Sequence, residues 1–189
     1  MQKNNLNEVS ALVLRLLAII ISIFFFQQAA ANELLISAGG GPQPDSPQTN
    51  RTYGIDYSFK KFEKSHRQHI HLGVSYTRVE TDTQENNSFH AVSIYPQLNL
   101  YPRKQSWGQP YFFVRALGPS YISSNQLGDR HQDNHFAFQA QVGYAARINW
   151  QSSEDLVVMV SWKHFSNANL FSDNEGIDMP FVINVGLNF

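Results

Sequence analysis

The sequence predicts an all-β protein, an eight-stranded antiparallel β-barrel of the outer-membrane type. Three observations predict it. Beyond the N-terminus, apolar residues recur with period two in eight segments, and no stretch of useful length has the helical period. Several segments run nine to fifteen residues, the length a tilted strand needs to cross a bilayer, whereas strands of soluble sheets average about 5–6 residues. The last segment keeps its alternation to the terminal Phe189, a C-terminus common in outer-membrane barrels. Lipid cannot satisfy backbone N–H and C=O groups, so such a sheet has to close on itself.

Residues 1–31 read as a secretory signal. Lys3 and Arg15 precede an apolar run, Leu16 to Phe26, whose eleven residues are too few to span as a helix a hydrocarbon core roughly 30 Å thick. Small residues, Ala29 and Ala31, occupy the −3 and −1 positions for a cut after Ala31. An uncleaved anchor is the alternative. The expected organisation is therefore a signal peptide, 1–31, and one transmembrane barrel domain, 32–189.

The strands follow in order. The first is Glu33–Gly41, with Leu34, Ile36 and Ala38 on one side. The second, Thr52–Phe62, alternates Tyr53, Ile55, Tyr57 and Phe59 with Gly54, Asp56 and Ser58. The third, Gln68–Val79, sets Ile70, Leu72, Val74 and Tyr76 against His69, His71, Gly73 and Ser75. The fourth is Ser88–Tyr101. The fifth, Tyr111–Ile122, is the least regular and carries Pro119, which cannot donate to a ladder and marks a bend. The sixth, His135–Asn149, alternates throughout; the seventh is Asp155–Ser166 and the eighth Phe181–Phe189. The longer connections follow the odd-numbered strands, at 42–51, 80–87, 123–134 and 167–180. Outer-membrane barrels keep long loops outside and short turns in the periplasm, so the odd strands are expected to run outward.

An eight-stranded barrel encloses just enough room for side chains. The expected filling is His69, His71, Asp56, Gln97, Gln139, Gln141, Arg115 and Arg147, with the arginines paired to Asp56 or other acids. His69 and His71 share a face, but no third metal ligand is evident, so they read as members of this polar plug. Trp107, Trp150 and Trp162 fall near strand ends and suit an interfacial girdle. Gly39, Gly40 and Gly41 form a loop entry without a following helix, hence no phosphate cradle. The chain has 189 residues, no cysteine and a formal charge of −1. These values argue against disulfide scaffolds, thiolate-bound metals and nucleic-acid binding. Aromatics are plentiful (14 Phe, 8 Tyr, 3 Trp), yet mean hydropathy is negative, which argues against a helical membrane protein.

Chemistry concentrates near the C-terminus. On the seventh strand Leu156, Val158, Val160, Trp162, His164 and Ser166 share one face, and that face is the apolar one. His164 and Ser166 are therefore expected on the lipid side, at the outer end of an outward-running strand. Acids follow nine and twelve residues after the serine, at Glu175 and Asp178. A nucleophile, a base and a carboxylate that orients the base are the parts of a serine hydrolase. Taken alone, a histidine and a serine two positions apart read rather as a girdle histidine beside a loop serine.

The longer string decides for chemistry. His164-Phe165-Ser166-Asn167-Ala168, a short polar loop, then Asn174-Glu175-Gly176-Ile177-Asp178 and a closing strand ending in Phe resemble the C-terminus of the outer-membrane lipid A 3-O-deacylases, the PagL family. The resemblance is sharp over 162–178 and architectural elsewhere. It implies hydrolysis of the 3-O-linked acyl chain of lipid A without a cofactor or metal, with Ser166 as nucleophile and His164 as base. The family's third member is a glutamate, and Asp178 stands at that position, one methylene shorter, with Glu175 as the alternative acid. Asn167, Asn174 and the backbone of 168–176 are oxyanion candidates by position. Asp178 is out of phase with the face of Phe181; a bulge near Pro180 would bring it to the outer wall, and without one it would point into the lumen. The expected setting is the outer membrane of a Gram-negative bacterium, with the site facing the outer leaflet and lipopolysaccharide as substrate. A homodimer is compatible with the sequence. The competing readings are a non-enzymatic small barrel of the adhesion type and a soluble lipid-carrying barrel.

Overall fold

The computed structural model describes residues 32–150 and 154–189. The segment read as a secretory signal lies outside the described residues. The described residues form ten strands: β1 (Glu33–Pro42), β2 (Thr49–Ser65), β3 (Gln68–Thr81), β4 (Ser88–Leu100), β5 (Gly108–Ile122), β6 (Gln126–Leu127), β7 (Arg130–His131), β8 (Phe136–Asn149), β9 (Asp155–Ser166) and β10 (Ile177–Asn188). Eight of them close into an antiparallel barrel in the order β1-β10-β9-β8-β5-β4-β3-β2. The remaining two, β6 and β7, form a small hairpin inside the loop between β5 and β8. That hairpin has too few residues for any periodic signal. The connections 43–48, 82–87, 123–135 and 167–176 gather at one end of the barrel, the loop end. The other end carries the turns, of which 66–67 is the tightest.

Alternating burial shows which side of each strand faces in. On β9, Val157, Met159, Ser161, Lys163 and Phe165 are buried, while Leu156, Val158, Val160, Trp162, His164 and Ser166 are not. The outward positions elsewhere are occupied by Leu34, Ile36, Ile55, Val74, Val92 and Ile94, an apolar belt that only lipid would leave uncovered. The irregular fifth strand has its cause at Leu117. Its φ of 53° accompanies register shifts against both neighbours, and Leu117 turns outward where strict alternation would bury it.

The lumen is stacked in three layers, more apolar than the sequence alone indicates. At the turn end Leu35, Tyr101, Tyr111, Phe113, Val157 and Met159 pack together. At the loop end Val79, Phe89, Ile122, Leu127, Phe165, Ile177 and Met179 form a second apolar plug. Between them lies the polar layer. Arg115 donates to Asp56 at 2.9 Å and to Gln97, its guanidinium lies 3.5 Å from the Tyr95 ring centroid, and Asn184 donates to Asp56 at 3.2 Å. A second pair, Arg147 and Glu33 at 3.3 Å, lies at the turn end, beyond Ala145 and Leu35 on their strands. His71 is buried close to Arg147, and His69 packs against Tyr101 with ring centroids 4.6 Å apart. The expected residues therefore fill the barrel, but the charged ones are confined to its middle and lower parts.

Candidate active site

The site is assembled where β9 meets the start of β10, on the outer wall at the loop end. β9 supplies His164 and Ser166, two residues apart and on the outward face. β10 supplies Asp178, which pairs directly opposite His164 in the ladder. Directly opposed residues of an antiparallel pair project to the same side, so the carboxylate reaches the imidazole: His164 Nδ1 lies 2.9 Å from Asp178 Oδ1.

This pairing depends on a bulge. Met179 pairs with Lys163 but Val182 pairs with Ser161, so Pro180 and Phe181 together face the single residue Trp162. The extra residue resets the parity. Phe181 and Asp178 both face out, although three positions apart. Proline suits the place because it has no N–H to leave unpaired. The bulge also explains why β10 reads from sequence as starting at Phe181 when it starts at Ile177: the first residues are out of phase with the rest.

Several neighbours hold the imidazole. The Trp162 ring stacks on it with centroids 5.2 Å apart and an interplanar angle of 25°. The backbone of Gly176 is also close to the ring: an added Cβ would sit 2.4 Å from His164 Cε1. No larger residue fits without moving the ring. Trp162, expected in the girdle, is thus part of the site; Trp107 and Trp150 remain exposed at the turn end.

Ser166 pairs with Phe138 of β8, an outward residue. Phe138 packs edge-on against Phe136, and Phe136 against Phe171. These rings make an apolar wall beside the serine. Ser166 and His164 share the outward face, and no hydrogen bond links their side chains among the described residues. In structures without substrate such bonds are often long and tighten only when substrate binds.

The loop after Ser166 turns sharply, with Ala168 and Asn169 at φ of 55° and 59°. Asn174 Oδ1 accepts from the backbone N–H of Asn167 at 2.8 Å, and Asn174 Nδ2 donates to Asn169 Oδ1 at 2.7 Å. The Asn167 side chain donates to the carbonyl of Asp173. Both oxyanion candidates therefore lie beside the serine and lock the loop. Asn174 keeps one N–H of its amide for another partner, whereas the Asn167 backbone N–H is already taken. Glu175, the alternative acid, is directed away: its carboxylate accepts from the His131 backbone N–H at 2.7 Å, so it ties the loop to β7 and does not touch His164.

Nothing in the residue pattern points to Gln43. Its Nε2 donates to Asp178 Oδ2 at 3.3 Å, the carboxylate oxygen that His164 does not use. Gly176 could have been singled out as the lone glycine between the two acids. The described residues contain no group of three or more His, Cys, Asp or Glu side chains placed to hold a metal ion.

Residues 51–188 match the family model described as lipid A 3-O-deacylase (PagL). The chain belongs to the lipid A 3-O-deacylase family. The chain is also similar to the crystal structure of the outer membrane enzyme PagL, with 18% identity over 80% of this chain and 97% of that one, at a TM-score of 0.58. That likeness shows the eight-stranded barrel fold. A weaker likeness, TM-score 0.43 and 11% identity over 85% of this chain and 100% of the other, is to the Yersinia pestis outer membrane protein Ail in a phospholipid bilayer nanodisc. No curated protein sequence matches. As a lipid A 3-O-deacylase, the chain is an outer-membrane ester hydrolase acting on lipid A, and the binding-barrel and lipid-carrier readings are set aside.

Proposed function

We propose that the deacylase works by Ser166–His164–Asp178 chemistry on the outside of the barrel, at the depth of the outer leaflet. The observation that carries this reading is the 2.9 Å contact between His164 Nδ1 and Asp178. With Nδ1–H donated to the carboxylate, the proton-accepting nitrogen is Nε2. Ser166 Oγ attacks the carbonyl carbon of the 3-O-linked ester as Nε2 takes its proton. The negative charge that forms on the carbonyl oxygen needs fixed donors, and the free N–H of the Asn174 amide is the candidate. Collapse of the tetrahedral intermediate expels the sugar oxygen, which His164 protonates. Water, activated by the same imidazole, then releases the fatty acid from Ser166. Asp178 keeps the ring in its tautomer and balances the imidazolium charge.

The placement of the site supports the outer-leaflet assignment. It lies at the end where the long loops gather, and long loops are extracellular in such barrels. A histidine, serine and aspartate on a lipid-facing wall cost free energy unless they meet polar groups. A lipid ester just below a sugar headgroup supplies both the polar partner and an acyl chain for the wall of Phe136 and Phe138. The test is mass spectrometry of lipid A from cells producing the wild-type chain, Ser166→Ala or His164→Ala. The wild type removes one hydroxyacyl mass and neither variant does, although both yield folded, heat-modifiable barrels. Full deacylation by either variant overturns the mechanism.

A further inference from the structure

We infer that Gln43 is a positioning residue for the catalytic carboxylate, held in that role by Asn50; the inference rests on the reading of Asp178 as the acid that orients His164.

The backbone explains why such a residue is needed. β1 pairs with β10 from Asn188 only as far as Phe181, opposite Gly40. Beyond the Pro180 bulge, β10 continues along β9 but has no strand on its other side. The N–H and C=O groups of Asp178 on that edge have no ladder partner. Buried in the fringe of a membrane, each unpaired group is costly.

Two amide side chains take the place of the missing strand. Gln43, only 3% exposed, follows β1 directly and folds back in a turn closed by its own N–H to the carbonyl of Gln48. Its Oε1 accepts from the Asp178 backbone N–H at 2.9 Å and from Asn50 Nδ2 at 2.7 Å. Its Nε2 donates to Asp178 Oδ2 at 3.3 Å and to the Gly176 carbonyl at 3.1 Å. All four hydrogen-bonding positions of the amide are used. The pattern also fixes which end is oxygen, because a backbone N–H needs an acceptor and a carboxylate needs a donor. Asn50 Nδ2 adds a bond to the Asp178 carbonyl at 2.9 Å. Asn50 is in turn oriented by Gln48 Nε2 at 3.0 Å, and Gln48 Oε1 accepts from the Asp129 N–H at 3.0 Å.

Gln43 thus grips one residue at its backbone and its carboxylate, and grips the glycine next to the imidazole. An aspartate carboxylate stands one carbon from its Cα and has two torsions with which to aim. With Oδ2 held by Gln43, Oδ1 is directed at His164. Gln43 and Asn50 both precede the span matched by the family model, residues 51–188.

The experiment measures kcat and KM for lipid A deacylation in detergent by the full chain and by Gln43→Ala, Gln43→Glu, Asp178→Asn and the double variant Gln43→Ala/Asp178→Asn. Heat-modifiability on gels reports folding. Expected are folded barrels, a fall in kcat of roughly tenfold to a hundredfold for Gln43→Ala with KM little changed, and a loss at least as large for Gln43→Glu, which fills the same space but presents a second carboxylate to Asp178. In the double variant kcat should equal that of Asp178→Asn, because Gln43 then has no catalytic carboxylate to position. A folded Gln43→Ala or Gln43→Glu with wild-type kcat overturns the inference, as does a double variant whose losses multiply. Wild-type kcat in Asp178→Asn is a different failure: it removes the acid from the mechanism, and this inference with it. Should Gln43→Ala fail to fold, the comparison of Gln43→Glu with Asp178→Asn decides.

Discussion

Gly176→Ala is the sharpest probe of how the imidazole is held. The new Cβ would lie 2.4 Å from His164 Cε1 and 3.2 Å from Nε2, whereas ordinary contacts of a Cβ begin near 3.4 Å. The overlap is about 1 Å, and either backbone or ring has to move. The backbone is tied down: the Gly176 carbonyl accepts from Gln43 and Ile177 is paired with Phe165. The ring is the softer partner. Pushed by about 1 Å, it can no longer keep both its stack on Trp162 and its 2.9 Å bond to Asp178. Misplacement of a catalytic group on this scale costs about a hundredfold in rate, or about 2.7 kcal/mol of barrier. KM should change little, because the apolar wall of Phe136 and Phe138 stands on the β8 side of Ser166 and is untouched. The assay is steady-state release of hydroxy fatty acid from purified lipid A in mixed micelles, with heat-modifiability as the check on folding. A folded Gly176→Ala barrel with undiminished kcat would show that the imidazole geometry described here is not the working one.

Other expectations follow from the same contacts. Asp178→Asn should reduce kcat far more than Glu175→Gln, by about a thousandfold if the histidine loses its tautomer and partner; the reverse order would make Glu175 the orienting acid. Asp56→Ala leaves the Arg115 guanidinium buried without its carboxylate, and unfolding in urea from lipid vesicles should show a loss of about 3–5 kcal/mol; an unchanged midpoint would mean that the polar layer is not a stabilising pair. Lys163→Met replaces a fully buried ammonium, whose closest hydrogen-bond partner is Thr77 at 3.4 Å, by an apolar chain of similar size. It should leave kcat unchanged and stability equal or higher, and a large loss of activity would show that the two faces of β9 are coupled.

Much of this architecture is legible in the sequence, because a strand with lipid on one side and packed side chains on the other has to alternate. β9 reads correctly to the residue, and the outward register of His164 and Ser166 follows from six matching positions. What alternation cannot show is a break in itself. The bulge at Pro180 conceals the first four residues of β10, and that at Leu117 blurs the inward side of β5. Polarity also misleads about the lumen: Tyr111, Phe113, Phe89 and Phe165 are as apolar as anything on the lipid side, and only closure of the barrel tells the two apolar sets apart. Gln43 is illegible for another reason. Its partner is 135 residues away, and its role exists only because β1 stops pairing short of Asp178.

The two faces of β9 divide the protein's tasks between alternate residues. Ser161, Lys163 and Phe165 face the lumen, and Phe165 joins Phe89 edge-on in the apolar plug beneath the site. Trp162, His164 and Ser166 face the membrane. The outward residues can be polar and underpacked because the inward ones fix the strand they share. A site on the wall of a closed sheet is therefore rigid where ladders run on both sides, as they do around Ser161. It is at risk only where a ladder ends. Asp178 sits at such an end, one residue short of the bulge that brings it to the imidazole. The same irregularity that brings Asp178 to the imidazole coincides with the end of the β1 ladder, and the side chains of Gln43 and Asn50 occupy that gap.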